Sequence, residues 1–120
     1  MKLMKIETVG SDVITANTGF IVNVDVDNLE VNIGASGTTT TVVGPFGTIT
    51  FTVDGADSAE KLVNCRKIGD YFAKSVMQLC SKAGSGVFEL IPSIAAFHTA
   101  TGIVHTGGTA NTALVTCALS

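Results

Sequence analysis

Charge is what this sequence has least of. Only 14% of its 120 residues are charged, against about a quarter in an ordinary globular chain, and from Leu90 to Ser120 there is no Asp, Glu, Lys or Arg. Tryptophan is absent and there is one tyrosine, so the aromatics interleaved with cations that let a sheet stack nucleobases are missing. The six phenylalanines fall mostly at inward parity and read as core. No apolar run approaches the ~20 residues of a membrane-spanning helix, and the charged start MKLMKIETVG has no continuous apolar stretch of the signal-peptide kind. The expected setting is therefore cytoplasmic or virion-associated, with no membrane partner. Cys65, Cys80 and Cys117 make an odd number. The first two fall on one expected helix, about 22 Å apart along its axis, so reduced thiols are expected.

What is present is apolar: 46% of residues are hydrophobic and the mean hydropathy is +0.47. The length suits one domain, residues 1–120, that buries its own core. The net charge of −3 opposes a generic nucleic-acid footprint, but it is unevenly spread. Residues 58–82 carry five cations and two anions, a local +3. Arg66, Lys67 and Lys74 are the residues there that could touch a polyanion; a solvated helix face is the plainer reading.

Residues 1–53 have strand periodicity. Met4 and Ile6 alternate with charged neighbours, Gly10-Ser11-Asp12 marks a turn, and Val13–Ala16 supplies a short returning strand. Phe20, Val22, Val24 and Val26 form an alternating set, and Leu29, Val31 and Ile33 continue on the opposite parity. A regular strand cannot change parity, so a turn or bulge at Asp27-Asn28 is expected, and a hairpin with Phe20–Val26 and Leu29–Ile33 as its arms is the favoured form. Thr38–Val43 and Thr48–Val53 follow around Gly44-Pro45-Phe46-Gly47, the latter with Ile49, Phe51 and Val53 inward and three threonines outward.

The period then lengthens. Asp57 and Glu60 form a capping pair, and Leu62, Cys65, Gly69, Phe72, Val76, Leu79 and Ala83 recur at helical spacing. One long helix is expected over about residues 58–83, packed on the sheet; as an intermolecular coiled coil its seam, with Cys65, Gly69 and Ala83, would be poor. The tail, residues 87–120, reads as β-rich, with strand-compatible stretches at Val87–Ile91, Ile94–Ala100, Ile103–Thr106 and Thr112–Leu119. The fold class is thus α+β: a mainly antiparallel, strongly bent sheet or small barrel with one long helix and a C-terminal β segment.

Only one residue set invites enzymatic chemistry. His98, His105 and Cys117 are metal-binding types, able with a bound water to do hydrolytic work. The histidines, however, lie seven residues apart across an expected turn, and no ligand pair has the close spacing of a structural zinc motif. Cys117 lies in an apolar run, where cysteine behaves as a small hydrophobe. The glycine-rich stretches match no phosphate loop; the acidic set Asp25, Asp27, Glu30 lacks the EF-hand pattern, and in the set Asp54, Asp57, Glu60 the last two are better employed in the helix cap. No catalytic residue, metal or other cofactor is expected.

An uncharged tail of 31 residues would be a poor solvent-facing surface. A homo-oligomer interface is therefore expected there, through Ile94, Phe97, Ile103, Val104, Leu114, Val115 and Leu119. Asn17-Thr18-Gly19-Phe20-Ile21-Val22-Asn23-Val24, the threonine tract, Thr48-Ile49-Thr50-Phe51-Thr52-Val53 and Ser58-Ala59-Glu60-Lys61-Leu62-Val63 together resemble short uncharacterised proteins of marine tailed phages, over about residues 1–83. That resemblance implies a small bent sheet or Sm-like barrel with one helix, and carries over no catalytic residue. The functional expectation is a non-enzymatic assembly protein, phage- or virion-associated, that forms a homo-oligomer. The alternative is a small Sm-like module binding nucleic acid or a ligand.

Overall fold

The computed structural model describes residues 1–120. Strands β1 (Lys2–Gly10) and β2 (Val13–Asn23) form an antiparallel hairpin. Its two-residue turn is Ser11-Asp12, with φ of 49° and 58°, the left-handed pair that a tight hairpin needs and that short polar side chains tolerate. The segments expected at 13–16 and from Phe20 onward belong to one strand. They are separated by a bulge in which Thr15–Thr18 oppose only Thr8, with Asn17 at a φ of 60°.

Strands β3 (Glu30–Ile33), β4 (Thr39–Gly44) and β5 (Gly47–Val53) follow as an antiparallel meander. The Asp27-Asn28 turn is present, but the hairpin expected around it is not. β2 pairs with β1, β3 pairs with β4, and the two lie on opposite edges of the sheet. The parity change thus marks the passage of the chain from one edge to the other, where each strand sets its own inward face.

The sheet order is β2-β1-β7-β5-β4-β3, and β6 (Gly86–Glu89) runs parallel to β1 along Lys2–Lys5. β7 (Leu114–Leu119) lies between β1 and β5. The sheet is open because β2 and β3 do not pair; an Sm-like or other closed barrel would require that they did.

Helix α1 (Ser58–Cys80) starts as expected, with the Asp57 carboxylate accepting the Glu60 N–H at 2.8 Å, and ends three residues earlier than expected. Its buried face is Asn64, Cys65, Ile68, Gly69, Phe72, Ser75 and Leu79. Leu62, of the expected stripe, is instead exposed and Val76 half-buried. A Cβ on Gly69 would lie 2.7 Å from Ile33 Cγ1, so the glycine permits α1 to rest directly against β3. The core centres on Phe51, with the Phe72 and Phe97 rings each 6.4 Å from it.

Residues 94–100 correct the sequence reading. They lie in helix α2 (Ile94–Thr101), capped by the Ser93 hydroxyl on the Ala96 N–H and ended by Gly102 at a φ of 78°. These are ordinary helix start and stop residues; the β-branched and aromatic content between them imitated a strand. Residues 103–106 are also not a strand. The fold is α+β, with both helices on one face of a mostly antiparallel, seven-stranded sheet.

Candidate functional site

The structure does not bring His98, His105 and Cys117 together. His98 is buried on α2, with Nδ1 2.8 Å from the Ile94 carbonyl, while Nε2 accepts the N–H groups of Ala113 at 3.1 Å and Leu114 at 3.4 Å. That pattern places the ring proton on Nδ1 and uses both nitrogens to hold α2 against the start of β7. The His105 ring is folded within its own loop, Nδ1 3.1 Å from the Thr112 hydroxyl. Cys117 is fully buried opposite Phe51, and burial pushes its thiol up to about 12. A thiol so placed stays protonated and unreactive at neutral pH. Cys65 is also buried, which raises its thiol pKa. No three His, Cys, Asp or Glu side chains stand where they could hold a metal.

What α1 does hold is its own C-terminal neighbour. The segment Gly102–Thr106 runs along the helix, and alternate residues meet side chains one helical turn apart. Lys67 Nζ donates to the Gly102 carbonyl at 2.9 Å. Asn64 donates to the Val104 carbonyl at 2.7 Å and to the Asp54 carbonyl at 2.9 Å, and accepts the Val104 N–H at 3.1 Å. Glu60 accepts the Thr106 N–H at 2.7 Å and the Thr106 hydroxyl at 2.5 Å, and also the Ala56 N–H at 2.8 Å. The Thr106 hydroxyl first, then the Ala56 and Thr106 N–H groups, hold the Glu60 carboxyl below its ordinary range. In the sequence Glu60 reads as a cap and as one of an acidic set, and Asn64 does not stand out. Its signal was a polar residue one turn before Ile68, on the buried side of the helix.

This seam has a pH dependence of definite sign. A carboxylate whose pKa is lowered on folding contributes stability above the unfolded value and loses it as pH falls through the folded one. The Thr106 amide should be protected from hydrogen exchange at neutral pH, and this protection should be lost only below the usual glutamate range. In Glu60→Gln, which removes the charge, it should already be reduced at neutral pH. Exchange measured by NMR across an acid titration checks both.

The tail is apolar for a reason internal to the chain. Phe97, Ile103 and Leu114 are buried in the monomer's own core, Ile94 and Val115 are half-buried, and only Val104 (53%) and Leu119 (37%) are substantially exposed. Phe97, Ile103 and Leu114 are thus unavailable to an interface without unfolding.

The cations divide. Lys67 and Lys74, seven residues apart on α1, line a groove with Asp70, Tyr71, Ser75, Gln78 and, across from them, Ala100 and Thr101 of α2. Its volume is about 380 Å³. Arg66 projects from the exposed side of the helix and does not line it.

On the opposite side of the molecule the sheet is uncovered. Thr39, Thr52 and Thr116 form one cross-strand row, and Asn32, Thr41, Thr50 and Ala118 a second; Thr48 faces Val43, beside Glu30. All retain solvent exposure, and Glu30, on the edge strand, is the only charged member. No helix of the molecule is long and apolar enough to cross a membrane. Comparison with protein families, with curated proteins and with solved structures finds no match for the chain.

Proposed function

We propose that the chain is a non-enzymatic assembly protein, of the virion-associated kind, that associates with copies of itself through the outer face of β3, β4, β5 and β7. One observation carries this reading: six threonines on three adjacent strands form an uncharged, uncovered grid. Charged side chains ordinarily keep such a face in water, and a face whose only charge is Glu30 at its edge favours contact. Each hydroxyl both donates and accepts, so the grid is its own hydrogen-bonding complement. Its repeats, ~4.8 Å across strands and ~6.7 Å along them, recur on a second copy, which suits face-to-face sheet packing.

The area sets the strength. Four strands of this length present on the order of 400 Å² of planar face per copy, at the weak end for a specific interface. Association should therefore depend on concentration in the micromolar range and gain from many copies held together. A nucleic-acid reader has less behind it, since no aromatic stands on this face for a base to stack on. Sedimentation velocity should show wild-type dimers or larger species growing in with concentration. Thr50→Lys, which places a charge at the centre of the grid without touching the core, should remain monomeric while unfolding at the same denaturant midpoint. A wild-type chain that stays monomeric at several hundred micromolar overturns the reading.

A further inference from the structure

We infer that the groove between α1 and the C-terminal end of α2 is a binding site for a small, hydroxyl-bearing phosphate monoester. Four donor-bearing side chains stand along one line of α1: Lys67, Tyr71, Lys74 and Gln78, at successive intervals of four, three and four residues. Helical geometry places Lys67 and Lys74 about 10.5 Å apart along the axis, close enough for two long side chains to converge above Tyr71. Neither lysine is in an ion pair: the salt bridges of the molecule use only Lys5 and Lys61. Lys67 is already fixed by the Gly102 carbonyl at 2.9 Å, which leaves ammonium protons free and removes part of the ordering cost of binding. Tyr71 is held edge-on against Phe97, their ring centres 5.9 Å apart, so its position is set by the core.

The acceptors in the groove narrow the ligand. The Ser75 and Thr101 hydroxyls donate within their own helices, to the Tyr71 and Phe97 carbonyls; Ser75 is buried, and Thr101, whose oxygen also takes the Ile103 N–H at 3.4 Å, keeps one lone pair for the groove. Asp70 adds a carboxylate. A bare anion would leave these unmatched and would be repelled by Asp70, whereas a sugar phosphate supplies an anion for the lysines and hydroxyl donors for Asp70 and Thr101. Two ammonium groups suit phosphate, which lysine binds as a point charge. The volume of about 380 Å³ lies within the range of small-molecule sites.

The test is an NMR titration of the full chain with glucose 6-phosphate, inorganic phosphate, glucose and a single-stranded oligonucleotide, each at matched ionic strength. The inference expects saturable amide shifts confined to residues 67–78 and 100–102 with glucose 6-phosphate, weaker ones with inorganic phosphate, and none with glucose. Lys74→Gln, at an exposed position with no partner to lose, should weaken glucose 6-phosphate binding roughly tenfold, the loss of one charge-assisted contact. Asp70→Asn should narrow the gap between the sugar phosphate and inorganic phosphate, which a purely electrostatic patch would not do. No saturable shift with glucose 6-phosphate, shifts unaffected by Lys74→Gln, or binding of the oligonucleotide alone would each overturn the inference, the last in favour of a nucleic-acid surface. The groove and the threonine face share no residue, so failure here leaves the assembly reading standing.

Discussion

Phe97→Ala should lower the unfolding free energy by about 4 kcal/mol, and by the same amount at every protein concentration. Phe97 is fully buried, stacks on Phe51 with the ring planes 8° apart, and receives the edge contact from Tyr71. Truncation removes that packing and leaves a cavity that strands on one side and α1 on the other cannot collapse to fill. Because α2 carries its only other buried residue, His98, one position along, loss of the ring should also loosen the ties to Ala113 and Leu114. Urea denaturation at two concentrations tenfold apart checks this. If the variant kept its stability and lost only self-association, Phe97 would belong to an interface and the monomer core described above would be wrong.

Asn64→Ala should cost about 3 kcal/mol. The side chain has no solvent exposure and makes three hydrogen bonds that join α1 to two other segments, at Asp54 and Val104. Alanine keeps the helix but leaves two carbonyls and one N–H without a partner, and each buried orphan carries a desolvation penalty of ~1–3 kcal/mol, reduced where water can enter. The damage should be directional: exchange protection should fall first over residues 102–106 and persist in β4 and β5. Denaturant unfolding with residue-resolved exchange measures both. A loss below about 1 kcal/mol would mean that solvent already reaches these groups.

Much of the N-terminal half was legible because local rules decide it. The alternation of Ile49, Phe51 and Val53 with three threonines is a period of two with one covered face, and it is what β5 does. Asp57 caps α1 because its side chain meets an N–H three residues on, whatever the rest of the chain is doing. The misreadings share a different cause. Val22 and Val31 have correct strand character, yet which strand each neighbours is decided across the whole sheet. The segment 94–101 carried Ser93 and Gly102 as helix punctuation, and eight residues rich in β-branched and aromatic side chains outweighed it.

The candidate sites divide in the same way. Lys67 and Lys74 were visible as cations on one helix, but the groove they line needs Ala100 and Thr101, some thirty residues on, and its existence depends on α2 being a helix. His98 was visible as a residue that could bind or catalyse; that its Nε2 is occupied by two backbone N–H groups depends on where β7 begins.

The amino-acid order alone determined the two periods and their boundary near Asp54, the cap and tight turns, and a threonine face on β5. Tertiary structure decided the strand order, the openness of the sheet and the role of the uncharged tail. The tail's last strand, β7, inserts between β1 and β5, and its partners Val9, Ile49, Phe51 and Val53 are separated from it by more than sixty residues. Pairing at that distance is settled by the burial and backbone hydrogen bonding of the assembled sheet, which no local window of sequence contains. A central strand with Leu114 and Cys117 buried has no use for charge on that side, and Leu90, Ile91, Phe97 and Ile103 join them in the core.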